Sequence, residues 1–181
     1  ILVSDDGNYS IKLINLTDEE NFNIYEFTID TKAPVVNLDG VEQGKTTNTD
    51  VSVSWSDEDV VSATYTKDNG ESVVLENGAT LTEEGIYVVK VVDDLGNTTE
   101  VMFTIDKSLD YEVYVDNTSA TGVETTGEDV LVINNEELHI SVTKNGEAYE
   151  YTFGDVLSEE GTYLIKISDD YGNTTVIQIT I

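Results

Sequence analysis

The sequence predicts an all-β protein built from small antiparallel β-sandwich domains in tandem, and three observations predict it. Apolar residues alternate with polar ones nearly everywhere, as in the run from Tyr87 to Val91, which is the period of a half-buried strand. No stretch of about a dozen residues carries the apolar stripe of a helix. One motif is written three times along the chain, as DDGNYSIKL, EEGIYVVKV and EEGTYLIKI.

The spacing of this motif indicates the size of each domain. The motif glycines Gly7, Gly85 and Gly161 are 78 and 76 residues apart (85−7 and 161−85), and each motif is followed by an apolar strand that ends in FTID, FTID or QITI. A period of this length is long for a solenoid unit and short for an enzyme domain. The sequence therefore predicts an array of small β-domains.

The closing residues Asp30 and Asp106 divide the chain into residues 1–30, 31–106 and 107–181. We call these segments the N-terminal hairpin, the first repeat and the second repeat. Each repeat is long enough for a sandwich of about seven short strands, whereas the first segment holds only the last two strands of a domain. The connectors are a few residues long, so neighbouring domains are expected to touch.

A hairpin alone is marginally stable in water, because it has no second sheet on which to bury Tyr9, Ile11, Phe27 and Ile29. Three partners are open for this surface: strands that complete its own domain, the next domain, or another molecule through strand complementation. The completing strands are the favoured partner.

The turns between strands have recognisable sequences. Asn69-Gly70 and Asn145-Gly146 lie between apolar runs at matching places in the two repeats, and they predict type I′ hairpin turns, which need positive φ. Residues 93–97 and 169–173, with the sequences DDLGN and DDYGN, join the last two strands of each repeat. They predict tight turns with the glycine in the left-handed position.

The motif resembles the approach to strand F of an immunoglobulin-type (Ig-type) domain, on the residues Glu83, Gly85, Tyr87 and Val89. In that family the tyrosine forms a "tyrosine corner" and a cysteine follows two residues later. Apolar residues take the cysteine position here, at Val89, Ile165 and Ile11. The resemblance implies tandem Ig-like β-sandwich domains whose cores are held by packing alone.

A longer series of short sequences between residues 33 and 99 (AP, GVEQGK, TDV, EG and DLGNTT) resembles the bacterial Ig-like repeats of Gram-positive surface proteins. Such repeats occur in adhesins, in S-layer proteins and as appendages of secreted glycan-degrading enzymes. The likeness covers the first repeat well and the N-terminal hairpin only in its last two strands. It is weaker in the second repeat, where KSLD replaces the Ala-Pro start and the Gly-Val-Glu turn is rearranged around residues 122–124.

This resemblance implies a spacer or stalk outside the bacterial cell or on its surface, with no catalytic residues to carry over. The partners that it implies are neighbouring Ig-like domains of the same or adjacent chains. It describes the fold better than the role, because the family is functionally mixed.

Composition excludes several classes of partner. The chain has 8 basic residues, all of them lysine, against 37 acidic ones, for a formal net charge of −29. A field this negative disfavours binding to nucleic acid or anionic lipid and attracts cations. No apolar run reaches the roughly 18 to 20 residues of a membrane span, so membrane insertion is not expected.

No enzyme is predicted. His139 is the single histidine and is expected to face solvent or a sheet edge, and the chain has no cysteine. Among 37 acids, pairs that are adjacent in sequence have no discriminating value. The alternative function is adhesion or carbohydrate binding, in which exposed aromatic side chains would contact the ligand. The candidate residues are Tyr111, Tyr114, Tyr149, Tyr151 and Tyr171. The single Trp55 is expected inside, which argues against a sugar platform.

Calcium is the cofactor that the acidic residues suggest. The chain leaves one end of a sandwich and enters the next at its opposite end, so the loop before strand F faces the B–C and F–G loops of the following domain. At the first junction this gathers Asp5, Asp6, Asp30, Asp57, Glu58, Asp59, Asp93 and Asp94. At the second junction it gathers Glu83, Glu84, Asp106, Asp110, Glu136, Asp169 and Asp170.

Carboxylates crowded in this way repel one another, and a hard divalent cation with about six to eight oxygen ligands would relieve the repulsion. No D-x-D-x-D-G loop is present, so the prediction rests on composition alone. The alternative is an acidic surface that is simply solvated.

Overall fold

The computed structural model describes residues 2–120, 125–134 and 137–181. Within these ranges the chain forms eighteen strands in five sheets and no helix. The prediction of an all-β fold is therefore confirmed. The domain boundaries after residues 30 and 106 stay a prediction.

The N-terminal hairpin consists of β1 (Gly7–Asn15) and β2 (Asp18–Ile29). The two strands pair antiparallel, beginning with Gly7 opposite Ile29. Every side chain of the two strands is exposed except those of Tyr9 and Ile29, which are half-buried. The apolar side chains of the hairpin therefore lie at the surface.

The first repeat contains eight strands in two sheets. They are β3 (Val36–Asp39), β4 (Thr46–Thr47), β5 (Val51–Trp55), β6 (Val60–Lys67), β7 (Val73–Val74), β8 (Ala79–Leu81), β9 (Gly85–Asp93) and β10 (Thr98–Ile105). One sheet has the order β3-β5-β8 and the other β4-β10-β9-β6-β7. The pairs are antiparallel except β4 with β10, which run parallel. The sequence predicted about seven strands, and two of the eight observed, β4 and β7, have only 2 residues each.

The two sheets of the first repeat enclose one hydrophobic core. Val51 on β5 and Val89 on the facing β9 are fully buried. The rings of Tyr87 and Phe103 stack with centroids 5.3 Å apart. Trp55 is half-buried and packs against this core, as predicted. The first repeat is therefore an Ig-like β-sandwich, with β6, β9 and β10 as strands C, F and G.

The second repeat also has eight strands among its described residues. They are β11 (Tyr111–Val115), β12 (Thr118–Ala120), β13 (Val130–Asn134), β14 (His139–Lys144), β15 (Glu147–Tyr149), β16 (Val156–Leu157), β17 (Thr162–Ser168) and β18 (Thr174–Thr180). The sheet orders are β12-β11-β13-β16 and β15-β14-β17-β18. Val132 of the first sheet and Ile165 of the second are fully buried in a shared core. This repeat is the second Ig-like β-sandwich, with β14, β17 and β18 as strands C, F and G.

The second repeat differs from the first at its start. The turn Asp116-Asn117, with φ of 46° and 60°, reverses the chain so that β12 pairs with β11. This hairpin was not predicted from the sequence, although Asp and Asn are the residues that tolerate such φ values. The rearranged turn expected around residues 122–124 lies outside the described residues.

One predicted hairpin turn is displaced by one residue. Asn145-Gly146 form the turn between β14 and β15 with φ of 52° and 86°, as predicted. In the first repeat the positive φ values fall on Asp68 (52°) and Asn69 (58°), so the prediction that Asn69-Gly70 form the central pair is wrong. Asp68 takes the turn position because its carboxylate accepts the N–H of Ile86 at 2.8 Å. Asp68 and Ile86 are 18 residues apart, so the local sequence of the turn does not predict this hydrogen bond.

All three copies of the motif contain the tyrosine corner. Each tyrosine hydroxyl donates to the backbone carbonyl four residues earlier, over 2.6 Å for Tyr9, 2.9 Å for Tyr87 and 2.8 Å for Tyr163. The cysteine position is fully buried at Val89 and Ile165, whereas Ile11 in the hairpin is 46% exposed. The cores of the two repeats are thus held by packing at the position where the Ig family has a disulfide.

Replacing Tyr163 with phenylalanine should lower the free energy of unfolding of the second repeat by about 1 kcal/mol, because the carbonyl of Glu159 loses its partner while the ring still fills its site. Denaturant titration followed by circular dichroism measures the change. Tyr9→Phe removes the same bond from the exposed hairpin and should leave the unfolding of both repeats unchanged. Equal losses in the two variants would contradict this role of the corner.

Candidate functional site at the domain junctions

In both repeats the acid-acid-glycine sequence at the start of strand F binds a lysine from strand C. Lys67 Nζ lies 2.6 Å from Glu83 Oε2, and Lys144 pairs with Glu159 in the same way. A Cβ atom on Gly85 would lie 2.7 Å from Lys67 Cγ. The glycine therefore leaves room for the lysine stem, besides allowing a φ of 146°.

The lysine and the first acid of the motif shift each other's pKa. The hydrogen bond with Glu83 raises the pKa of Lys67 and lowers that of the Glu83 carboxyl. The equivalent bond does the same to Lys144 and Glu159. All four groups are therefore charged at neutral pH, and the lysine ties the end of strand C to the loop before strand F.

At the first junction one linker peptide group is held from both sides. Its N–H, from Thr31, donates to Asp6 Oδ1 of the hairpin at 3.0 Å. Its carbonyl, from Asp30, accepts a hydrogen bond of 3.0 Å from Asn97 Nδ2, in the F–G turn of the first repeat. Each of the two neighbouring domains thus binds one polar group of the same peptide.

The second junction repeats this arrangement. The N–H of Lys107 donates to Glu84 Oε1 at 2.7 Å, and Asn173 Nδ2 donates to the carbonyl of Asp106 at 3.0 Å. Asn173 also donates to the carbonyl of Ser108 at 3.3 Å. In both junctions the asparagine lies 67 residues after the carbonyl that it binds. We call this pair of hydrogen bonds on one peptide group the linker clamp.

The second junction has further contacts between the linker and the first repeat. The Lys107 ammonium donates to Asp50 Oδ1 and to the Thr82 carbonyl, both at 2.6 Å. The F–G turn of the second repeat also approaches the loop before β5, since a Cβ on Gly172 would lie 3.1 Å from Asn48 Nδ2. The two repeats therefore touch, as the short connectors predicted.

An aspartate holds each clamp asparagine in place. Asp93 Oδ1 accepts the N–H groups of Leu95 and Asn97 at 3.0 and 2.8 Å, and its Oδ2 accepts Asn97 Nδ2 at 2.8 Å. Asp169 binds the backbone and side chain of Asn173 in the same way, at 2.9 and 2.7 Å. The glycine before each asparagine has a φ of 91° or 101°, which confirms the predicted left-handed position.

Two carboxylates of the first junction, those of Asp93 and Asp6, are stabilised in their charged form. Burial raises the pKa of Asp93, but hydrogen bonds from the side chain and backbone of Asn97 and from two other N–H groups outweigh burial and hold that pKa below its usual range. The hydroxyl group of Thr31 is the main cause that lowers the pKa of Asp6. Both side chains are therefore ionised, and accept hydrogen bonds, at neutral pH.

Several predicted calcium ligands line one cleft of about 420 Å³ at the first junction. The acidic residues of this cleft are Asp6, Asp30, Asp57, Asp59 and Asp93. Asp57 Oδ2 also accepts the N–H of Val35 at 2.7 Å, and Asp94 is exposed outside the lining. Over residues 2–120, 125–134 and 137–181, no three acidic or histidine side chains are close enough to hold a metal ion. Calcium at this junction stays a prediction.

The acids predicted at the second junction have other partners. Glu84 and the Asp106 carbonyl belong to the linker clamp, and Asp169 holds Asn173. Asp170 Oδ1 lies 2.6 Å from Nε2 of His139, whose side chain is 66% exposed, as predicted. Asp110 is engaged within the chain as well. Glu136 lies outside the described residues.

The five tyrosines considered for ligand binding are mostly not exposed. Tyr111, Tyr149 and Tyr151 are half-buried and pack against the core of the second repeat. The Tyr114 hydroxyl donates to Glu112, and Tyr171 is 46% exposed. The tyrosines therefore do not form one flat exposed platform.

The role of Asn97 and Asn173 in the linker clamp was not predicted from the sequence, from which both were expected only in their turns. The sequence does contain an indication of this role. Asn97 follows Asp30, and Asn173 follows Asp106, by the same 67 residues. Equal spacing across two repeats indicates a contact that both copies make.

Within the described ranges, no helix has the length and apolar character of a membrane span.

The sequence is similar to that of a bacterial cell wall protein. No protein-family model matches the chain. The outer cell wall protein of Brevibacillus brevis is 40% identical over 77 residues, which is 42% of this chain and 8% of that protein. The chain thus spans a small fraction of the relative, and the matched length is that of about one repeat.

Solved structures with related shapes include murine CEACAM1b, at 12% identity over 81% of this chain and 96% of that chain, with a TM-score of 0.39. The fibronectin(III)-like modules of CbhA from Clostridium thermocellum match at 12% identity over 81% of this chain and 94% of that chain, with a TM-score of 0.33. Because these scores are low, the fold assignment rests on the strand order described above.

Removing the clamp asparagine should loosen the second junction. Asn173→Ala deletes the donor to the Asp106 and Ser108 carbonyls. Because the chain has no cysteine, spin labels can be placed at Val61→Cys and Val176→Cys, which are 66% and 62% exposed in the two repeats. Pulsed electron paramagnetic resonance should give a narrow distance distribution for the labelled chain and a clearly broader one after Asn173→Ala.

Asn37→Ala, at an exposed asparagine on β3, is the matched control and should leave the distribution unchanged. A label pair within the first repeat, Val61→Cys and Met102→Cys, should stay narrow in all variants, because the sandwich itself is intact. If Asn173→Ala leaves the inter-repeat width unaltered, the clamp does not restrain the junction.

Proposed function

We propose that this chain is a non-catalytic structural part of a bacterial cell-surface or secreted protein, in which tandem Ig-like repeats act as a spacer or stalk. The linker clamp is the observation that carries the proposal. A spacer must hold its domains at a constant distance and orientation. A linker peptide bound by both neighbours resists rotation about the bonds that would otherwise let the domains swing.

The relative from Brevibacillus brevis supports the cellular location. Its description as an outer cell wall protein, and its 40% identity over 77 residues, favour a cell-wall or surface setting for this chain. In its finer form the proposal is that the repeats assemble an S-layer, a stalk or an adhesin through neighbouring Ig-like domains of the same or adjacent chains.

The energetics of such small domains give the junctions a second role. A domain of roughly 75 residues without disulfides buries only about 60 to 65% of its unfolded surface, so its core is a modest source of stability. Contacts with a neighbour, such as the Lys107 bonds to Asp50 and Thr82, add to that stability. In such an array the contacts between neighbouring repeats add to the stability of each repeat, which suits a stalk.

A spacer predicts a constant length for each added repeat. Inserting one, and then two, further copies of residues 31–106 after Asp106 should increase the maximum dimension of the protein by the same amount each time. Small-angle X-ray scattering measures this dimension. The increment should fall when Asn97→Ala is present in every copy, because the clamp that aligns the copies is removed.

A flexible Gly/Ser insert of the same number of residues is the control, since its span grows only with the square root of its length. Increments that shrink with copy number in the unaltered array would contradict a spacer. Specific binding on a glycan array would instead favour the carbohydrate-binding alternative, with Tyr171 as the exposed aromatic.

Calcium at the first junction is the finer part of the proposal. The five carboxylates that line the cleft, and the net charge of −29, support it. At a calcium concentration about a hundredfold above its dissociation constant, binding should stabilise the protein by about 2.7 kcal/mol. For a domain of this size that is a rise in melting temperature of about 10 °C or more.

Thermal unfolding with calcium and with a chelator tests this, with magnesium and sodium at equal ionic strength as controls. The double variant Asp57→Asn and Asp59→Asn should abolish the calcium effect, whereas Asp39→Asn, at an exposed site on β3, should retain it. The same midpoint with calcium and with chelator would remove calcium and leave the spacer proposal standing.

A further inference from the structure

The exposed surface of the N-terminal hairpin corresponds to the core surface of the repeats. In the register of the motif, Ile11 takes the place of Val89, and Phe27 takes the place of Phe103. Ile11 and Phe27 are 46% and 37% exposed, whereas Val89 and Phe103 are 0% and 1% exposed. β1 and β2 are thus strands F and G without the sheet that covers strands F and G in both repeats.

The structure shows twice what covers this surface. In the first repeat it is the A-to-E half, by which we mean the segment from β3 to β8. Val51 and Val53 of β5 and Leu81 of β8 enter the core from the facing sheet. β6, the strand C of that half, pairs antiparallel with β9. The matching edge of β1 faces solvent in the described structure.

The loop before β1 has a lysine site that no described lysine fills. In both repeats the motif glycine packs on a strand C lysine, and the first acid pairs with it. A Cβ on Gly7 would instead touch only the ring of Tyr9, at 3.9 Å or more. Among the described residues, no lysine lies within ion-pair distance of Asp5.

A third difference lies at the F–G turns. Gly172 approaches Asn48, which belongs to the A-to-E half of the preceding repeat. Its counterpart in the first repeat, Gly96, faces open space. The hairpin has no A-to-E half and therefore no residue equivalent to Asn48. That equivalent residue is the one that would contact Gly96 at the first junction.

We propose that the hairpin binds the A-to-E half of an Ig-like repeat, supplied by the same polypeptide through the loop at Asp5 and Asp6. Its strand C pairs with the free edge of β1 and ends in a lysine that packs on Gly7 and pairs with Asp5. Its loop before strand B rests on Gly96. The A-to-E half is assigned to the same polypeptide because of the register of the repeats. In that register Val3 aligns with Leu81, the last residue of strand E, and Val3 lies immediately ahead of the loop.

Supplying the missing half tests this proposal on the full chain. A copy of residues 31–82 is joined to Asp5, in place of the residues ahead of it, so that the copy brings its own Lys67 and Asn48. Amide hydrogen exchange on β1 should slow by at least about a hundredfold, as expected when a frayed edge becomes an internal strand. Unchanged exchange on β9 and β17 shows that the two original repeats remain folded.

A variant within the copy tests the lysine site. Lys67→Met in the copy removes the cation that pairs with Asp5 and should lower the melting midpoint of the added domain. Lys45→Met in the same copy, at an exposed lysine, is the matched control and should leave that midpoint unchanged. Equal midpoints in the two variants would overturn the assignment of the lysine site.

The other occupants of the surface give different results. Exchange on β1 as fast in the extended chain as in the original chain would overturn the proposal. Slow exchange on β1 in the original chain, with a dimer by light scattering, would assign the surface to a second copy and also overturn it. Slow exchange in a monomeric original chain would assign the surface to the rest of the chain, with the same consequence.

Discussion

Five residues at the start of each strand F, with the pattern acid, acid, glycine, any residue, tyrosine, set the geometry on which the rest of the structure depends. The backbone carbonyl of the first acid accepts the tyrosine hydroxyl, and its carboxylate binds the strand C lysine in both repeats. The carboxylate of the second acid, Asp6 or Glu84, accepts the N–H of the linker. The glycine leaves room for the lysine stem. This short segment thus contacts the hydrophobic core through the tyrosine, strand C through the lysine and the domain junction through the linker N–H.

The junctions show how a strongly acidic protein brings its domains together. With a net charge of −29, neighbouring surfaces repel unless specific contacts offset the repulsion. In the linker clamp the charge of the carboxylate, Asp6 or Glu84, is stabilised by the peptide N–H, and the second donor is the neutral asparagine amide. Lys107 adds a cation where the second linker crosses Asp50. Directional hydrogen bonds fix orientation, which a diffuse field of charge does not do.

The sequence anticipated the parts of the fold that repeat locally. Alternation identified the long strands, the resemblance of the motif to Ig-type domains implied the tyrosine corners, and the DDLGN and DDYGN sequences predicted the glycine turns. The two-residue strands β4 and β7 are too short for alternation to identify them. The first type I′ turn was placed one residue late, since a bond from Asp68 to Ile86 decides its position. Tyr111, Tyr149 and Tyr151 proved half-buried, because they pack against the core of the second repeat.

From the sequence alone came the all-β class, the repeat length and the motif, because these depend on contacts between near neighbours along the chain and on side-chain periodicity. Only the tertiary structure decided what the motif binds. The linker clamp joins groups 67 residues apart, and the cleft of the first junction joins two domains. Such contacts depend on how whole sheets pack and on where the chain leaves each sandwich, and alternation within a single strand contains no information about either.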